Sequence, residues 1–424
     1  MQRPKFTIVI PTRERADTLL YSLQTCVMQD YDQLSIVVSD NFSQDETKDV
    51  VHSINDPRIR YVNTGRRLSM SGNYEFGLSQ VKDGFVTLLG DDDGFLPNSV
   101  KTAADWLSET GSKAINLNPA DYLWPSFFNA DRANTLYIKF RSGYHLLNGK
   151  EELQKTLTGT KSYADLPCLY TSFIDRSVID KVQTISGAFF HSRIPDVYSA
   201  ISLAPFAGNY IYADQSLKLF GTSKKSIGAS LVYDAANQEA AQTFLNEDNL
   251  PIHPRLSSTL GRSVSIVIAE SFLQSFDQGL NQEILKDFDL TIFIRQALQE
   301  AYSSAKGHRA EILTNVREIL VKNKLPMTEF DALISQYEQS PPGPVRYDVS
   351  RYFQPFALVD ALAYGVTDIA GAAKLYDKIY RHPFRYPGII PSTIKKTLKS
   401  ATLDLLLERF RKTKKSPDSQ QAIS

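Results

Sequence analysis

Three consecutive aspartates, Asp91, Asp92 and Asp93, follow the apolar run Phe85–Leu89 and Gly90 and precede Gly94-Phe95-Leu96-Pro97. Adjacent like charges repel, and an offsetting cation is a physical reason to keep them together. Carboxylates are hard oxygen ligands suited to Mg²⁺ or Mn²⁺, ions that keep several waters and share their shell with phosphates. The competing reading is a solvated loop with Asp93 in a turn. A second cluster is Ser39-Asp40-Asn41-Phe42-Ser43-Gln44-Asp45. An ionised Asp40 accepts hydrogen bonds and cannot donate, so it suits the N–H edge of uracil, thymine or guanine and would repel N3 of cytosine. Alternatively Asp40 and Asn41 form a turn while Ser43 and Glu46 make a capping box. A third is Pro11-Thr12-Arg13-Glu14-Arg15. Backbone at Pro11 and Thr12 can face a nucleotide, and Arg13 or Arg15 can meet phosphate oxygens.

Each cluster stands at the end of a short β-branched run. Thr7–Ile10, Ser35–Ser39, Ile59–Asn63 and Phe85–Leu89 read as strands, with helices over Thr18–Met28 and Ser71–Val81 between them. That alternation predicts an α/β fold with a parallel sheet covered on both faces, in which ligands bind beyond the carboxyl ends of the strands. Further along, Lys113–Leu117 and Tyr137–Phe140 read as strands, Val197–Leu203 as a helix, and Tyr210–Ala213 with Leu217–Phe220 as a strand pair. Beyond about residue 235 the pattern turns helical, over Ser263–Phe276, Glu283–Ala305, Ala310–Lys322 and Phe356–Tyr364. Pro341-Pro342-Gly343-Pro344 breaks the helical groups apart. The expected division is an α/β domain at 1–232, a helical domain at 233–340 and a helical C-terminal region at 345–424.

The 424 residues are 42% hydrophobic and balance 47 basic against 47 acidic side chains, which argues against a nucleic-acid binder. Cys26 and Cys168 are too few for a disulfide framework and fit buried thiols in a reducing cytoplasm. Neither a signal peptide nor a membrane-spanning run is visible. Charge is uneven, however: from Lys374 to Lys415 there are twelve Lys or Arg against three Asp or Glu. Leu398, Leu405, Leu406 and Phe410 lie at helical spacing within 395–415. This segment is either a peripheral contact with an anionic membrane or a terminal helix with a solvated basic face. Gly221–Gly228 is basic and hydroxyl-rich, either a phosphate-covering loop or a solvated one.

Taken together, Thr7-Ile8-Val9-Ile10-Pro11-Thr12-Arg13, Val37–Asp45 and Leu88-Leu89-Gly90-Asp91-Asp92-Asp93 with Pro97 resemble family 2 of the glycosyltransferases, which has the GT-A fold. The resemblance implies a mostly parallel Rossmann-like sheet with helices on both faces, followed by a largely helical C-terminal region. It implies that Pro11, Thr12 and Asp40 hold the nucleoside, with Arg13, Arg15, Asn41, Asn73, Asp91 and Asp92 around the donor. The metal, Mn²⁺ or Mg²⁺, would sit on Asp91, Asp92 and Asp93. Many members have Asp where this chain has Gly90, and an Arg-Asn pair where it has Ser71-Gly72-Asn73. Inverting members place a carboxylate at a helix start about a hundred residues on, which points to Asp196 in Ile194-Pro195-Asp196 as the base, with His191 a lesser candidate. An N-cap is the other reading of Asp196, and a helix N-terminus would lower its pKa. The implied reaction takes a sugar, UDP-linked by family habit, to a hydroxyl of a glycan or lipid-linked glycan in bacterial surface polysaccharide synthesis. A cytoplasmic enzyme, peripheral on the inner membrane and open to homo-oligomer formation, is the matching expectation. A nucleotidyltransferase is disfavoured because no glycine-rich loop follows the first strand. A non-catalytic carbohydrate-binding scaffold would have no use for three costly carboxylates.

Overall fold

The structure is a computed structural model that describes residues 3–226, 228, 243–244, 246–247, 249–260, 262–303, 308–345 and 356–386. Strand β1 (Phe6–Thr12), helix α1 (Ala16–Val27), β2 (Leu34–Asp40), α2 (Thr47–Ser53), β3 (Ile59–Asn63), α3 (Met70–Ser79) and β4 (Phe85–Leu88) follow one another as the sequence predicts. Ile8, Val9, Ile10, Ile36, Val37 and Val38 are all buried, as strands covered on both faces require. The four strands pair in parallel, and the register sets Thr12 level with Asp40 and Asp40 level with Asn63. Thr12, Asp40 and the aspartates after β4 therefore share the carboxyl rim of the sheet. Pro11 sits past the stretch of β1 that pairs with β4, where its missing N–H breaks no bond to that strand.

The chain continues through β5 (Gly94–Phe95), α4 (Ser99–Thr110), β6 (Ala114–Asn116), β7 (Ala120–Leu123), β8 (Thr135–Lys139), β9 (Tyr144–Asn148), α5 (Gly149–Leu157), β10 (Ser172–Asp175), α6 (Arg176–Ser186), α7 (Pro195–Ala207), β11 (Asn209–Ala213) and β12 (Lys218–Thr222). Eight strands form one sheet in the order β3-β2-β1-β4-β10-β6-β11-β9. It is parallel from β3 to β4 and mixed beyond, with β10 and β9 antiparallel to their neighbours. On one face Leu19, Leu23, Val100 and Leu107 pack from α1 and α4. On the other, Leu78, Val182, Tyr198 and Leu203 pack from α3, α6 and α7.

Helices α8 (Val264–Asp277), α9 (Leu290–Ser303), α10 (Arg309–Lys322) and α11 (Met327–Gln339) make the helical region. Phe272, Phe293, Val316 and Phe330 share a core with Leu153 of α5 and Ile201 of α7. The helical layer is thus fastened to the α/β part by its own apolar faces. Strand β13 (Phe356–Asp360) and helix α12 (Ile369–Arg381) complete the described chain.

Four local expectations differ from the structure. Phe356–Tyr364 is not a helix: Ala357 and Val359 alternate inward against α12, and β13 pairs antiparallel with β8. The last region therefore contributes a strand to a second, five-stranded sheet ordered β13-β8-β7-β12-β5. Tyr210–Ala213 and Leu217–Phe220 do not pair with each other, because β11 joins the large sheet and β12 the small one. The helix expected over Glu283–Ala305 is broken near Phe288, where Asp289 accepts the Thr291 N–H at 2.8 Å and starts α9 afresh. Nor does the capping box at Ser43 form. Glu46 caps α2 without a side-chain bond, and the Ser43 hydroxyl instead accepts the Glu14 N–H at 2.9 Å.

Candidate active site

The three aspartates differ in what they face. Asp91 accepts the Thr12 hydroxyl at 2.8 Å, and its other oxygen lies 3.3 Å from Nη2 of Arg15. Asp92 takes three donors on one oxygen: Arg15 Nη2 at 2.6 Å, Ser223 Oγ at 2.7 Å and Ser226 Oγ at 2.5 Å. Asp93 turns onto the backbone, accepting Gly221 N–H at 2.8 Å and Gly90 N–H at 3.3 Å, with Lys218 Nζ 3.5 Å away. All three are buried, as are Arg15 and Lys218. Burial pushes the Asp91 carboxyl up to about 6 against the pull of Arg15, and raises Asp93 against the pull of Lys218. Burial works against the Arg15 charge, but Asp91 and Asp92 outweigh it and hold the guanidinium above its ordinary pKa. Lys218 goes the other way: burial lowers it more than Asp93 restores.

This donor set decides how a divalent ion would fit. Asp91 and Asp92 each aim an oxygen at Arg15 Nη2, whereas Asp93 is consumed by Gly90, Gly221 and Lys218. Among the described residues no three His, Cys, Asp or Glu side chains are grouped to hold an ion. A pair of hard oxygens does suit Mg²⁺ or Mn²⁺, whose remaining positions go to water and phosphate. The fitting position is the one the Arg15 guanidinium holds. Its Nε, buried and without a hydrogen-bond partner, marks a seat that does not satisfy the whole side chain.

Gly90 has a steric explanation. A Cβ there would lie 2.3 Å from the Tyr170 hydroxyl oxygen and 2.9 Å from Asp93 Oδ2. The phenol fills the space a side chain would need. Tyr170 in turn stacks on Phe220 at 5.7 Å, and Lys218 Nζ sits 4.3 Å from the Tyr170 ring centre.

At the rim of β2, Asp40 accepts Ser43 N–H at 3.0 Å on one oxygen and the Tyr61 hydroxyl and Asn63 amide, at 2.5 and 2.9 Å, on the other. A carboxylate has about four acceptor positions, so one of them stays open on the oxygen that meets Ser43. Asn41 is spent on the chain itself, donating to Leu68 O and accepting Leu68 N–H, both at 2.8 Å. Asn73 likewise ties α3 to Ser39. Arg13 pairs with Glu247, and Arg67 lies 3.7 Å from the same carboxylate. Arg67, Leu68, Ser69, Thr243, Asn246 and Glu247 line a cavity of about 520 Å³ beside them. Glu247 carries no sequence signal, since nothing in its neighbourhood marks it as a partner for a residue 234 positions earlier.

Asp196 is the second residue of α7, behind Pro195, and Ile194 holds the cap position without a side-chain bond. It is therefore not the N-cap. Burial raises its pKa despite the opposing N–H groups of Val197 and Asp196 itself, the reverse of the lowering expected from the helix N-terminus alone. Burial raises the Tyr74 phenol well above its ordinary pKa, and the charges of Asp196, Asp91 and Asp93 add to the rise. His191 serves the backbone, with Nε2 at 3.1 and 3.0 Å from the carbonyls of Ser186 and Ala188. The sequence reading also missed Glu270 in α8. It accepts the Ser192 hydroxyl at 2.5 Å, and Ser192 Oγ accepts Ile194 N–H at 3.3 Å, so the helical region fixes the approach to Asp196. A carboxylate inside the apolar run Ile266–Leu273 was the available signal. Of the 221–228 loop, Ser223 and Ser226 reach Asp92 and Lys225 O accepts Arg15 Nη1 at 2.8 Å, so the loop does lie over the aspartates.

Residues 7–166 match the family model described as Glycosyl transferase family 2. Among curated proteins, the GalNAc(5)-diNAcBac-PP-undecaprenol beta-1,3-glucosyltransferase of Campylobacter jejuni is 37% identical over 102 residues, 23% of this chain and 33% of that protein. The succinoglycan biosynthesis protein ExoO of Rhizobium meliloti is 24% identical over 110 residues, 26% of this chain and 32% of that protein. The chain thus spans about a third of the length of these relatives. Among solved structures, S. aureus TarS 1-349 in complex with UDP is 14% identical, covering 79% of this chain and 91% of that one at a TM-score of 0.45. The mannosyltransferase PcManGT from Pyrobaculum calidifontis, in complex with GDP-Man and Mn2+, is 17% identical, covering 76% and 88% at a TM-score of 0.39.

Proposed function

We propose that the chain, whose residues 7–166 match the family model described as Glycosyl transferase family 2, moves a sugar, with inversion, from a nucleoside diphosphate sugar to a hydroxyl of a glycan or lipid-linked glycan. UDP is the proposed nucleotide and bacterial surface polysaccharide synthesis the proposed setting. The observation that carries this reading is the gathering of Thr12, Arg15, Asp91 and Asp92 at the strand ends. A Mn²⁺ or Mg²⁺ ion on Asp91 and Asp92 would offset charge on the departing diphosphate. Arg13 and Arg67, which share the Glu247 carboxylate, offer a position of matching charge for phosphate oxygens. Asp40, with one acceptor position left, would take the N–H of the base. Asp196, whose burial favours its protonated form, would receive the acceptor's proton as the hydroxyl attacks the anomeric carbon.

The relative from Campylobacter is named for an undecaprenol-linked acceptor, which supports a lipid-linked glycan here. No helix among the described residues is long and apolar enough to cross a membrane. A cytoplasmic, peripheral enzyme fits that, and the membrane contact proposed for 395–415 lies outside the described residues. The helical region is proposed to serve acceptor recognition or self-association. The test is release of UDP from UDP-sugars in the presence of Mn²⁺, compared with Asp92→Asn and Asp196→Asn. Loss of turnover in both variants is expected; full turnover in both would overturn the reading.

A further inference from the structure

Glu270 of α8 is a buried carboxylate that the proposed reaction does not use. It is 0% exposed, in a helix that buries Ile266, Ile268, Ala269, Phe272 and Leu273 in the helical core. Its hydrogen bonds come from neutral groups, the Ser192 hydroxyl at 2.5 Å and the Gln274 amide at 2.9 Å. Burial pushes its pKa up to about 7 against the pull of Ser192, Gln274 and Arg193. A buried carboxyl costs stability that a well-packed apolar side chain would not. Its use lies in what it holds.

It holds the chain just ahead of α7. Ser192 donates its hydroxyl proton to Glu270 and takes the Ile194 N–H on the same oxygen at 3.3 Å. The Ser192 carbonyl accepts the Ser71 hydroxyl of α3 at 2.6 Å, and Arg193 Nε donates to the Leu250 carbonyl at 2.5 Å. Residues 192–194 are thus fixed from α3, from α8 and from Leu250. Ile194 then takes the cap position of α7, Pro195 fixes its own φ, and Asp196 follows as the second helical residue. No side chain caps α7, so the entry of this helix depends on those anchors.

We propose that Glu270 is a positioning residue for the transfer: through Ser192 it sets the Ile194-Pro195 entry to α7, and with it the place of the Asp196 carboxylate. The proposal rests on the transferase reading above, with Asp196 as base. It gives the helical region a part in the chemistry, because the group that places the base comes from α8 rather than from the α/β sheet.

The experiment measures turnover of UDP-GlcNAc and UDP-glucose in Mn²⁺ by the full chain and by Glu270→Leu, Glu270→Gln, Ser192→Ala and Asp196→Asn, with melting and UDP affinity alongside. Glu270→Leu suits the apolar surroundings and should melt at or above the native value, while kcat falls about tenfold to a hundredfold, the cost of a group displaced by roughly 1 Å. UDP affinity and donor KM should stay within about twofold, a split that a merely structural role would not produce. Glu270→Gln keeps an oxygen for the Ser192 hydroxyl and should restore most of kcat. Ser192→Ala should lose as much as Glu270→Leu, and the double variant no more than either, as one chain of contacts requires. Native kcat in Glu270→Leu, equal losses of kcat and UDP affinity, or additive losses in the double variant would overturn the proposal. Should Glu270→Leu melt below the native protein, Ser192→Ala decides, and native kcat there overturns it. Native turnover by Asp196→Asn would remove the base and this proposal with it. Lost turnover in Asp196→Asn beside native turnover in Glu270→Leu overturns this proposal alone.

Discussion

Replacing Arg15 by Gln separates the two cations that can serve Asp91 and Asp92. In the folded chain Arg15 Nη2 lies 2.6 Å from Asp92 and 3.3 Å from Asp91, with all three groups buried. Removing one member of a buried pair leaves uncompensated charge and costs about 3–5 kcal/mol. At about 2–4 °C per kcal/mol for a domain of 150–250 residues, melting in EDTA should fall by roughly ten degrees. A divalent ion has the opposite dependence. In the native protein it must displace the guanidinium, whereas in the variant it meets two carboxylates that already repel each other. Mn²⁺ should therefore restore most of the lost stability, and its affinity should tighten about tenfold or more, which corresponds to 1.4 kcal/mol. Melting in EDTA and in Mn²⁺, with free Mn²⁺ followed by electron paramagnetic resonance, reads both quantities. An unchanged melting point in EDTA, or Mn²⁺ affinity in the variant no tighter than native, would refute the reasoning.

Asp196→Asn should leave nucleotide affinity by calorimetry at the native value and lower transfer by about 10²–10⁴, the contribution of a positioned base; near-native transfer removes Asp196 from that role. Gly90→Ala forces a Cβ to 2.3 Å from the Tyr170 hydroxyl and should destabilise by about 1–3 kcal/mol in urea titration, part of which Tyr170→Phe should recover. Burial holds Glu270 up to about 7 from 4.5, so between those values the folded chain keeps a proton the unfolded chain has lost. Its contribution to stability falls as pH rises through that window and is level above it. Melting of Glu270→Gln from pH 4.5 to 7 should lack that decline, and an identical decline in both proteins would contradict it.

The first half of the large sheet was legible because its strands and helices have clean periods, and the polar residues at the rim follow directly from where each strand stops. The aspartate triplet was visible for the same reason. Its division of labour was not, because Asp93 turns toward Gly221 and Lys218, 128 and 125 positions later in the chain. Lys218 lies inside the expected strand Leu217–Phe220, where no local pattern marks a lysine as buried, yet it is fully buried. Glu247 and Glu270 act over similarly long separations, which no local pattern encodes. Strand β13 hid inside a helical stretch, and only its alternation at Ala357 and Val359 distinguished it. For Asp196, burial outweighed the helix terminus, a balance set by packing of α7 rather than by neighbours in sequence.

Manganese anomalous scattering from crystals grown with Mn²⁺ and UDP tests the central claim most directly. The expected peak lies between the Asp91 and Asp92 carboxylates and touches the diphosphate, with the Arg15 guanidinium moved off those oxygens. A diphosphate bound elsewhere, or a site in which Arg15 keeps both aspartates and no manganese appears, would contradict the account.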